Sequence, residues 1–134
     1  MKIITFGTFD LLHVGHINIL ERCKNYNDNQ SENELIVGIS SDQFSYQKKD
    51  HYPVYNEHQR KRILESLRCV DKVFIEESFE KKKDYLLEHK ADIFIMSDDW
   101  EGKFNYLNDI CKVVYLPRTP DISTTEIVNI IRTT

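Results

Sequence analysis

The sequence predicts an α/β fold in which a five-stranded, mainly parallel sheet is flanked by helices. Short runs rich in β-branched residues alternate along the chain with segments of helical periodicity, the order expected of repeated βα units. Runs such as Leu35-Ile36-Val37 and Val113-Val114 are apolar without alternation. This pattern is typical of strands that are buried on both faces.

The elements follow one another along the chain. The β-branched run Lys2–Phe6 predicts the first strand, and a helical pattern follows at Gly15–Asn27. The apolar run Glu34–Ser40 predicts the second strand, and the periodic segment Asn56–Leu67 predicts the second helix. The remaining predicted elements are the strand Lys72–Ile75, the helix Phe79–His89, the strands Asp92–Met96 and Lys112–Leu116, and the helix Thr124–Arg132. The polar segments Asn25–Asn33 and Gln47–Pro53 predict surface loops that are too short to link domains.

Composition limits the function classes. The 134 residues predict one domain spanning 1–134, and a formal charge of −4 argues against a dedicated nucleic-acid binder. No apolar run is long enough to span a bilayer, and the stretch Met1–Phe6 is too short for a signal peptide, so we expect a cytoplasmic protein without a membrane partner. Cys23, Cys69 and Cys111 lack metal-ligand spacing, which predicts buried or half-buried free thiols in a reducing compartment.

A candidate anion site follows the first strand, in the turn from Gly7 to His16. Right-handed crossovers place ligands of parallel sheets at the carboxyl ends of the strands. Two of the four glycines of the chain, Gly7 and Gly15, lie here, and the helix that follows offers its positive end to an anion. His13 and His16 are three residues apart and can donate N–H groups to phosphate oxygens. Alternatively, the two histidines are structural residues of the turn and of the helix start; as a zinc pair they lack a nearby third ligand.

Three motifs together resemble one family. GTFDLLHVGHINIL (residues 7–20) resembles the HxGH signature of the nucleotidyltransferases, and specifically of the cytidylyltransferases. RTPDISTT (residues 118–125) is similar to the RTxGISTT motif of that family. MSDDWEGKF (residues 96–104) is similar to a stretch of the glycerol-3-phosphate cytidylyltransferases. The resemblance covers nearly the whole chain and implies the Rossmann-like fold of HxGH nucleotidyltransferases.

The resemblance implies a reaction. A cytidylyl group passes from CTP to a small phosphorylated alcohol, and pyrophosphate is released. The implied acceptor is glycerol 3-phosphate, and the reaction requires Mg²⁺. It also implies a homodimer. A phosphate monoester is largely dianionic at pH 7, so its attack needs little help from a general base, and positioning and charge neutralisation become the main tasks.

The resemblance also implies the site residues. His13, His16, Arg118 and Lys48 are the predicted catalytic residues. The predicted nucleotide-binding residues are Thr8, Phe9, His13, Gly15, His16, Asp99, Arg118, Thr119, Ile122, Ser123, Thr124 and Thr125. The predicted acceptor-binding residues are Lys48, Lys82, Arg60 and Asp10. No metal ligand is assigned, because Mg²⁺ takes few carboxylates and relies on substrate phosphates.

Several of these residues have simpler interpretations. Ser123 can be a helix cap and Arg118 a surface charge. Lys48, placed in a loop after Asp42-Gln43-Phe44, and Lys82 can be solvated surface lysines. Trp100, which follows Asp99, can be a packing residue.

Three departures from the family pattern leave the acceptor open. Lys48-Lys49-Asp50 replaces a Lys-x-Lys pair, Ser97 replaces a glycine, and Pro120-Asp121 replaces Glu-Gly. Other polyol phosphates, phosphocholine, phosphoethanolamine and phosphorylated amino-acid derivatives remain alternative acceptors. Adenylyl transfer and a non-catalytic nucleotide-binding module are further alternatives, although His13, His16 and Arg118 are all present.

Overall fold

The computed structural model describes residues 1–120 and 122–134. The strands are β1 (Lys2–Gly7), β2 (Glu34–Ser40), β3 (Lys72–Glu76), β4 (Ile93–Ser97) and β5 (Lys112–Leu116). The helices are α1 (Val14–Lys24), α2 (Asp42–Lys49), α3 (Glu57–Glu65), α4 (Lys82–Glu88) and α5 (Thr124–Thr133). Short 3₁₀ turns lie at Tyr26–Asp28, Asp98–Trp100 and Asn105–Leu107.

All pairings in the sheet are parallel, and the strand order is β3-β2-β1-β4-β5. The order reverses between β1 and β4, since the chain grows outward first on one side of β1 and then on the other. In open parallel sheets ligands bind at the carboxyl ends of the strands near such a reversal. The predicted Rossmann-like α/β fold is confirmed.

The sheet is buried on both faces by two apolar clusters. On one face Leu20 of α1 and Leu64 of α3 pack with Ile3 of β1. On the other face Leu86 of α4 and Leu107 pack with Ile4, the next residue of β1. Alternate residues of a strand therefore serve opposite clusters, which explains the continuous apolar runs of the central strands.

The structure corrects one part of the predicted layout. The sequence predicts a loop at Gln47–Pro53 that contains Lys48. In the structure, residues Gln47–Lys49 instead form the last turn of helix α2. The Ser41 side chain accepts a hydrogen bond from the Phe44 N–H and caps the helix. Asp50 ends α2 in a left-handed conformation, with φ of 62°.

The predicted free thiols are confirmed, since Cys23, Cys69 and Cys111 are unpaired and buried. Among the residues that the structure describes, no helix has the length and apolar character needed to cross a membrane.

Candidate active site at the carboxyl edge of the sheet

The candidate site is built from the segments that leave the carboxyl ends of β1, β2, β4 and β5. The β1–α1 turn carries His13 and His16, helix α2 follows β2, the 3₁₀ turn with Asp99 follows β4, and Arg118 follows β5. The topology therefore brings together residues that are more than 100 positions apart in the sequence.

The β1–α1 turn is held in a conformation that few residues adopt. Phe9 and Leu11 both have positive φ, at 52° and 48°. A Cβ atom at Gly7 would lie 2.8 Å from the Phe9 ring, and one at Gly15 would lie 2.8 Å from Cε1 of His13. Both glycines are needed because the rings close over the backbone at these points.

The two histidines form a stacked pair at the start of α1. Nδ1 of His13 accepts the Gly15 backbone N–H at 3.0 Å, and Nδ1 of His16 accepts the His13 N–H at 3.2 Å. The ring centroids are 3.7 Å apart and the ring planes differ by 22°. Because a backbone N–H can only donate, Nδ1 is unprotonated in both neutral rings, and each therefore carries its proton on Nε2. The turn thus fixes two imidazoles with Nε2–H as the remaining donor.

Both imidazoles are neutral near pH 7. Burial, followed by the charges of His13 and Lys49, lowers the pKa of His16 to about 3. Burial, followed by the charge of Arg118, also lowers the pKa of His13. The pair is consequently a set of neutral hydrogen-bond donors.

The start of α5 is tied to the β1–α1 turn. The Thr124 hydroxyl donates to the Asp10 carbonyl at 2.7 Å, and the Asn18 side chain of α1 donates to Oγ1 of Thr119 at 3.1 Å. Ile122 lies close to Gly15, since Cγ2 of Ile122 is 3.1 Å from the position that a Cβ of Gly15 would take. These contacts place the α5 N-terminus beside the α1 N-terminus, so that two positive helix ends converge.

Other residues of the RTPDISTT motif have defined positions. Ser123 caps α5 by accepting the Glu126 N–H, as the interpretation of this residue as a helix cap predicts. Arg118 is half exposed; it donates to the Ile122 carbonyl at 3.2 Å and lies 3.6 Å from the Asp99 carboxylate. Thr125 is exposed. Asp121, at which the sequence departs from the family glycine, lies outside the described residues.

The segment after β4 lies beside Arg118. Asp99 is exposed, and its contact with Arg118 contributes little energy because both groups are solvated. The Trp100 ring packs against the rings of Phe79 and Phe104, with centroids 5.8 and 5.5 Å away. Trp100 therefore has the packing role that the sequence left open.

Arg60 lies beneath the site rather than at its surface. Its side chain is fully buried, and its guanidinium donates to the carbonyls of Tyr55, Thr8 and Ser40 and to the Asp42 carboxylate. The guanidinium thereby joins the ends of β1 and β2. The predicted contact of Arg60 with an acceptor stays a prediction.

Asp10 is also buried and has a similar role. Its two carboxylate oxygens accept the backbone N–H groups of Val54 and Tyr55, at 2.6 and 3.0 Å. The carboxylate thus ties the segment between α2 and α3 to the β1–α1 turn. The predicted contact of Asp10 with an acceptor stays a prediction, and in this structure the carboxylate serves the protein backbone.

Two predicted lysines lie near each other at the carboxyl ends of β2 and β3. Lys48 is partly buried, and its ammonium donates to Oγ of Ser40 at 2.7 Å. Lys82 is 2% exposed and pairs with Glu76 at 2.6 Å. Neither is the freely solvated lysine of the simpler interpretation.

Lys48 titrates in a pH range that kinetic assays can reach. Burial lowers the pKa of Lys48 to about 8, and the charge of Glu76 opposes this shift. The resemblance predicts that Lys48 binds the phosphate of the acceptor, and the protonated amine is the form that can do so. On that prediction, kcat/KM for the acceptor is expected to fall as pH rises through about 8. Lys48→Arg, which stays protonated, is expected to remove this alkaline limb in a pH-rate profile. A limb unchanged in Lys48→Arg would assign it to another group.

An open groove of about 830 Å³ adjoins the site on its α1 side. Arg118 and Thr119 form one wall, and the remaining lining includes Arg22 and Arg68. Arg22 donates to the Pro117 carbonyl at 2.8 Å and so supports the segment that presents Arg118.

The comparisons with known proteins agree with this geometry. A family model described as cytidylyltransferase-like matches residues 4–130. The chain belongs to the cytidylyltransferase-like family. The family predicted from the three motifs is therefore confirmed, and with it the nucleotidyltransferase class.

Curated relatives match this cytidylyltransferase-like chain over nearly its whole length. It is 55% identical over 127 residues to the glycerol-3-phosphate cytidylyltransferase of Bacillus subtilis (strain 168), covering 94% of this chain and 93% of that protein. The enzyme of the same name from Bacillus spizizenii (strain ATCC 23059 / NRRL B-14472 / W23) is 48% identical over 94% of this chain and 93% of that protein. That from Staphylococcus aureus (strain NCTC 8325 / PS 47) is 45% identical over 94% and 91%.

A solved structure has the same fold. The lipopolysaccharide core biosynthesis protein from Thermoplasma volcanium GSS1 superposes with a TM-score of 0.71 over 89% of this chain and 98% of that chain. At 24% identity, this likeness supports the architecture alone.

Sequence reasoning did not single out Glu76 and Ser40. Both are the last residues of strands, β3 and β2, and both contact a predicted lysine. A strand end at the ligand-binding edge is the signal that could have identified them.

Proposed function

We propose that the protein transfers the cytidylyl group of CTP to glycerol 3-phosphate, forming CDP-glycerol and releasing pyrophosphate. The observation that carries the proposal is the stacked His13–His16 pair, in which backbone N–H groups occupy both Nδ1 atoms and leave the Nε2–H groups as donors. The 45–55% identity to enzymes of this name over more than nine tenths of the chain supports the choice of acceptor.

The residues suit an in-line displacement at the α-phosphorus. An oxygen of the acceptor phosphate forms a bond to that phosphorus, the bond to the bridging oxygen of the β-phosphate breaks, and pyrophosphate leaves with the electron pair. The dianionic acceptor has no proton to lose before attack, so the protein supplies positioning and charge stabilisation. We assign the Nε2–H donors of His13 and His16 and the guanidinium of Arg118 to the triphosphate, and Lys48 to the acceptor phosphate.

The α5 N-terminus serves the nucleotide in this scheme. Ser123 and Thr124 begin the helix, and Thr119 and Arg118 precede it. The N–H groups of the first helical turn and the positive end of the helix dipole attract phosphate oxygens. Thr8, Phe9, Gly15, Asp99, Ile122 and Thr125 complete the proposed nucleotide site.

We propose that Mg²⁺ enters with the nucleotide as MgCTP. Within residues 1–120 and 122–134, no group of three His, Cys, Asp or Glu side chains is arranged to hold a metal ion. At nucleotides the ligands of Mg²⁺ are commonly phosphate oxygens and water, so the proposal requires no cluster of protein ligands.

One feature favours glycerol 3-phosphate over phosphocholine. Quaternary ammonium groups are recognised by cages of aromatic rings. Here the rings of Phe6, Phe79, Phe94 and Phe104 already surround the Lys82 ammonium, at 3.9 to 6.0 Å from their centroids. The Lys82 ammonium therefore already occupies these rings, which leaves no open aromatic cage here for a quaternary ammonium group.

The function is tested by pyrophosphate release from CTP and Mg²⁺ with a panel of acceptors. The panel contains glycerol 3-phosphate, ribitol and erythritol phosphates, phosphocholine, phosphoethanolamine and phosphorylated amino-acid derivatives, with ATP as the control nucleotide. We expect turnover with CTP and glycerol 3-phosphate. Faster turnover with another acceptor would contradict the proposed acceptor, and no turnover despite CTP binding would favour the non-catalytic alternative.

We also propose a cytoplasmic homodimer. The three buried free thiols fit a reducing compartment. Helix α5 exposes Ile130 and Ile131 at 64% and 65%, an adjacent apolar pair of the kind found at protein interfaces. Sedimentation at micromolar concentration is expected to give a mass near twice the 16.0 kDa of one chain, and a monomer would contradict the dimer.

A further inference from the structure

Glu76 is a buried carboxylate at the edge of the sheet where the proposed site lies. It is the last residue of β3 and is 1% exposed. Its Oε2 accepts a hydrogen bond from the Lys82 ammonium at 2.6 Å, and Lys82 is itself 2% exposed. A buried ion pair is costly to form, because both charges lose their hydration, and it adds stability only when its geometry compensates that cost.

Aromatic rings complete the surroundings of Lys82. The ammonium lies 3.9 Å from the centroid of Phe6 and 5.2 Å from that of Phe104. The faces of the rings attract a cation, so they help to retain the charged form of Lys82 after its burial. With the carboxylate of Glu76 on one side and rings on the others, the Lys82 ammonium is directed into the protein.

Lys48 is the more accessible of the two lysines and lies next to the end of β3. Its ammonium donates to Oγ of Ser40, and Ser40 is paired with Glu76 across the parallel strands β2 and β3. The Lys48 ammonium is 4.5 Å from the Phe44 centroid and 5.8 Å from that of Phe79, the ring that also contacts Lys82. The charged groups that act on Lys48 are Glu76 on β3, Lys82 on α4, Lys49 on α2 and Arg60 on α3. Of these four groups, Glu76 alone is negative.

We propose that Glu76 is a positioning residue for acceptor binding: its carboxylate holds the Lys82 ammonium among the aromatic rings and supplies the negative charge that Lys48 faces. The acceptor's phosphate then meets a protonated Lys48 rather than a neutral amine. This inference rests on the proposed function, because it assigns Lys48 to the phosphorylated acceptor. Without Glu76, the three groups that remain of these four are all positive.

The titration of Lys48 supports the inference. Burial lowers its pKa to about 8, and Glu76 is the largest influence in the opposite direction. Burial raises the pKa of Glu76, while the contact with Lys82 opposes that rise and favours the ionised carboxylate. Loss of the carboxylate charge therefore lowers the pKa of Lys48 further.

The test uses Glu76→Gln in the full chain, with steady-state kinetics as a function of pH. We expect the alkaline limb of kcat/KM for glycerol 3-phosphate to move down by about one pH unit or more, which is about a tenfold loss at pH values above the limb. At pH near 6.5 the variant is expected to recover most of its activity, because Lys48 is protonated again. Glu77→Gln is the matched control, since the Glu77 side chain is 65% exposed and forms an ion pair with the exposed Lys81.

A double variant removes both members of the buried pair and leaves no unpaired buried charge. Because Glu76 acts on Lys48 more strongly than Lys82 does, the limb of Glu76→Gln/Lys82→Met is also expected to move to lower pH. A merely structural role for the pair would lower the rates of Glu76→Gln and of the double variant equally at all pH values. Unmoved limbs in both variants would overturn the proposal, and the double variant keeps it testable if Glu76→Gln does not fold.

A measurement without turnover separates this inference from the proposed function. In protein labelled with ¹⁵N-lysine, the Lys48 side-chain nitrogen is assigned by its loss in Lys48→Arg and is titrated by NMR. We expect a lower midpoint in Glu76→Gln than in the unsubstituted protein. An equal midpoint overturns the proposal even if glycerol 3-phosphate is turned over, whereas absence of turnover with a shifted midpoint overturns only the assigned acceptor.

Discussion

Replacing either His13 or His16 with asparagine is expected to lower kcat about a hundredfold at saturating CTP and acceptor. Asparagine keeps a side-chain oxygen near the position of Nδ1, so the hydrogen bonds from Gly15 N–H or His13 N–H can be retained. What is lost is the Nε2–H donor. A preorganised donor to charge that develops in the transition state contributes about 3 kcal/mol, which corresponds to about two orders of magnitude in rate.

Glutamine at the same positions is the complementary control. Its side-chain amide reaches the Nε2 position and can donate there, but it lacks the acceptor that caps the helix. We expect the glutamine variants to retain more activity than the asparagine variants and to be less stable to urea. His58→Asn, on the exposed surface of α3, should match the unsubstituted enzyme. Equal activity of the asparagine variants and the unsubstituted enzyme would remove the histidines from the reaction.

The double alanine variant tests whether the two donors act as a unit. The rings stack at 3.7 Å, so each limits the position of the other. Groups that stabilise the same charge give non-additive losses. We expect the double variant to be only slightly slower than the slower single variant. Fully additive losses in kcat would contradict a shared role.

Arg60→Met is expected to lower the free energy of unfolding by about 3 kcal/mol or more. It removes a buried guanidinium and leaves the groups that accept its hydrogen bonds without a donor. The substitution preserves much of the side-chain volume but strands the carbonyls of Thr8, Ser40 and Tyr55. For a domain of this size, such a loss shifts Tm by about 10 °C. Thermal and urea unfolding measure it.

Two further variants define the cause of that loss. Arg62→Met lies on the exposed surface of the same helix and is expected to change the free energy of unfolding by less than about 0.5 kcal/mol. Arg60→Lys should not restore stability, because a single ammonium cannot replace the guanidinium fork that reaches four groups. A loss below about 1 kcal/mol in Arg60→Met would contradict the role of Arg60 in joining β1 and β2.

The sequence predicted the architecture because its signals were strong. Apolar runs without alternation marked the central strands, and the turn from Gly7 to His16 marked the first helix start. Helix α2 was missed because its last turn, with Lys48 and Lys49, is polar and continues into a polar segment. Ser41 as a cap and Asp42 in the first turn were the signals for it.

Other features depend on tertiary contacts that no local pattern contains. Arginine is mostly an exposed residue, so the complete burial of Arg60 followed only from the carbonyls that converge on it. The motif predicted two histidine donors, but the protonated nitrogen of each was fixed by backbone N–H groups in the folded turn. The partnership of Glu76 with Lys82 likewise required the end of β3 and the start of α4 to be seen together.

The most direct test of the account follows oxygen atoms from the acceptor into the product. Glycerol 3-phosphate carrying ¹⁸O in its non-bridging phosphate oxygens is incubated with the enzyme, CTP and Mg²⁺, and the products are analysed by mass spectrometry. Direct attack on the α-phosphorus predicts CDP-glycerol that retains all of the label and pyrophosphate that contains none. Label in the pyrophosphate, or no CDP-glycerol under conditions in which CTP binds, would contradict the account.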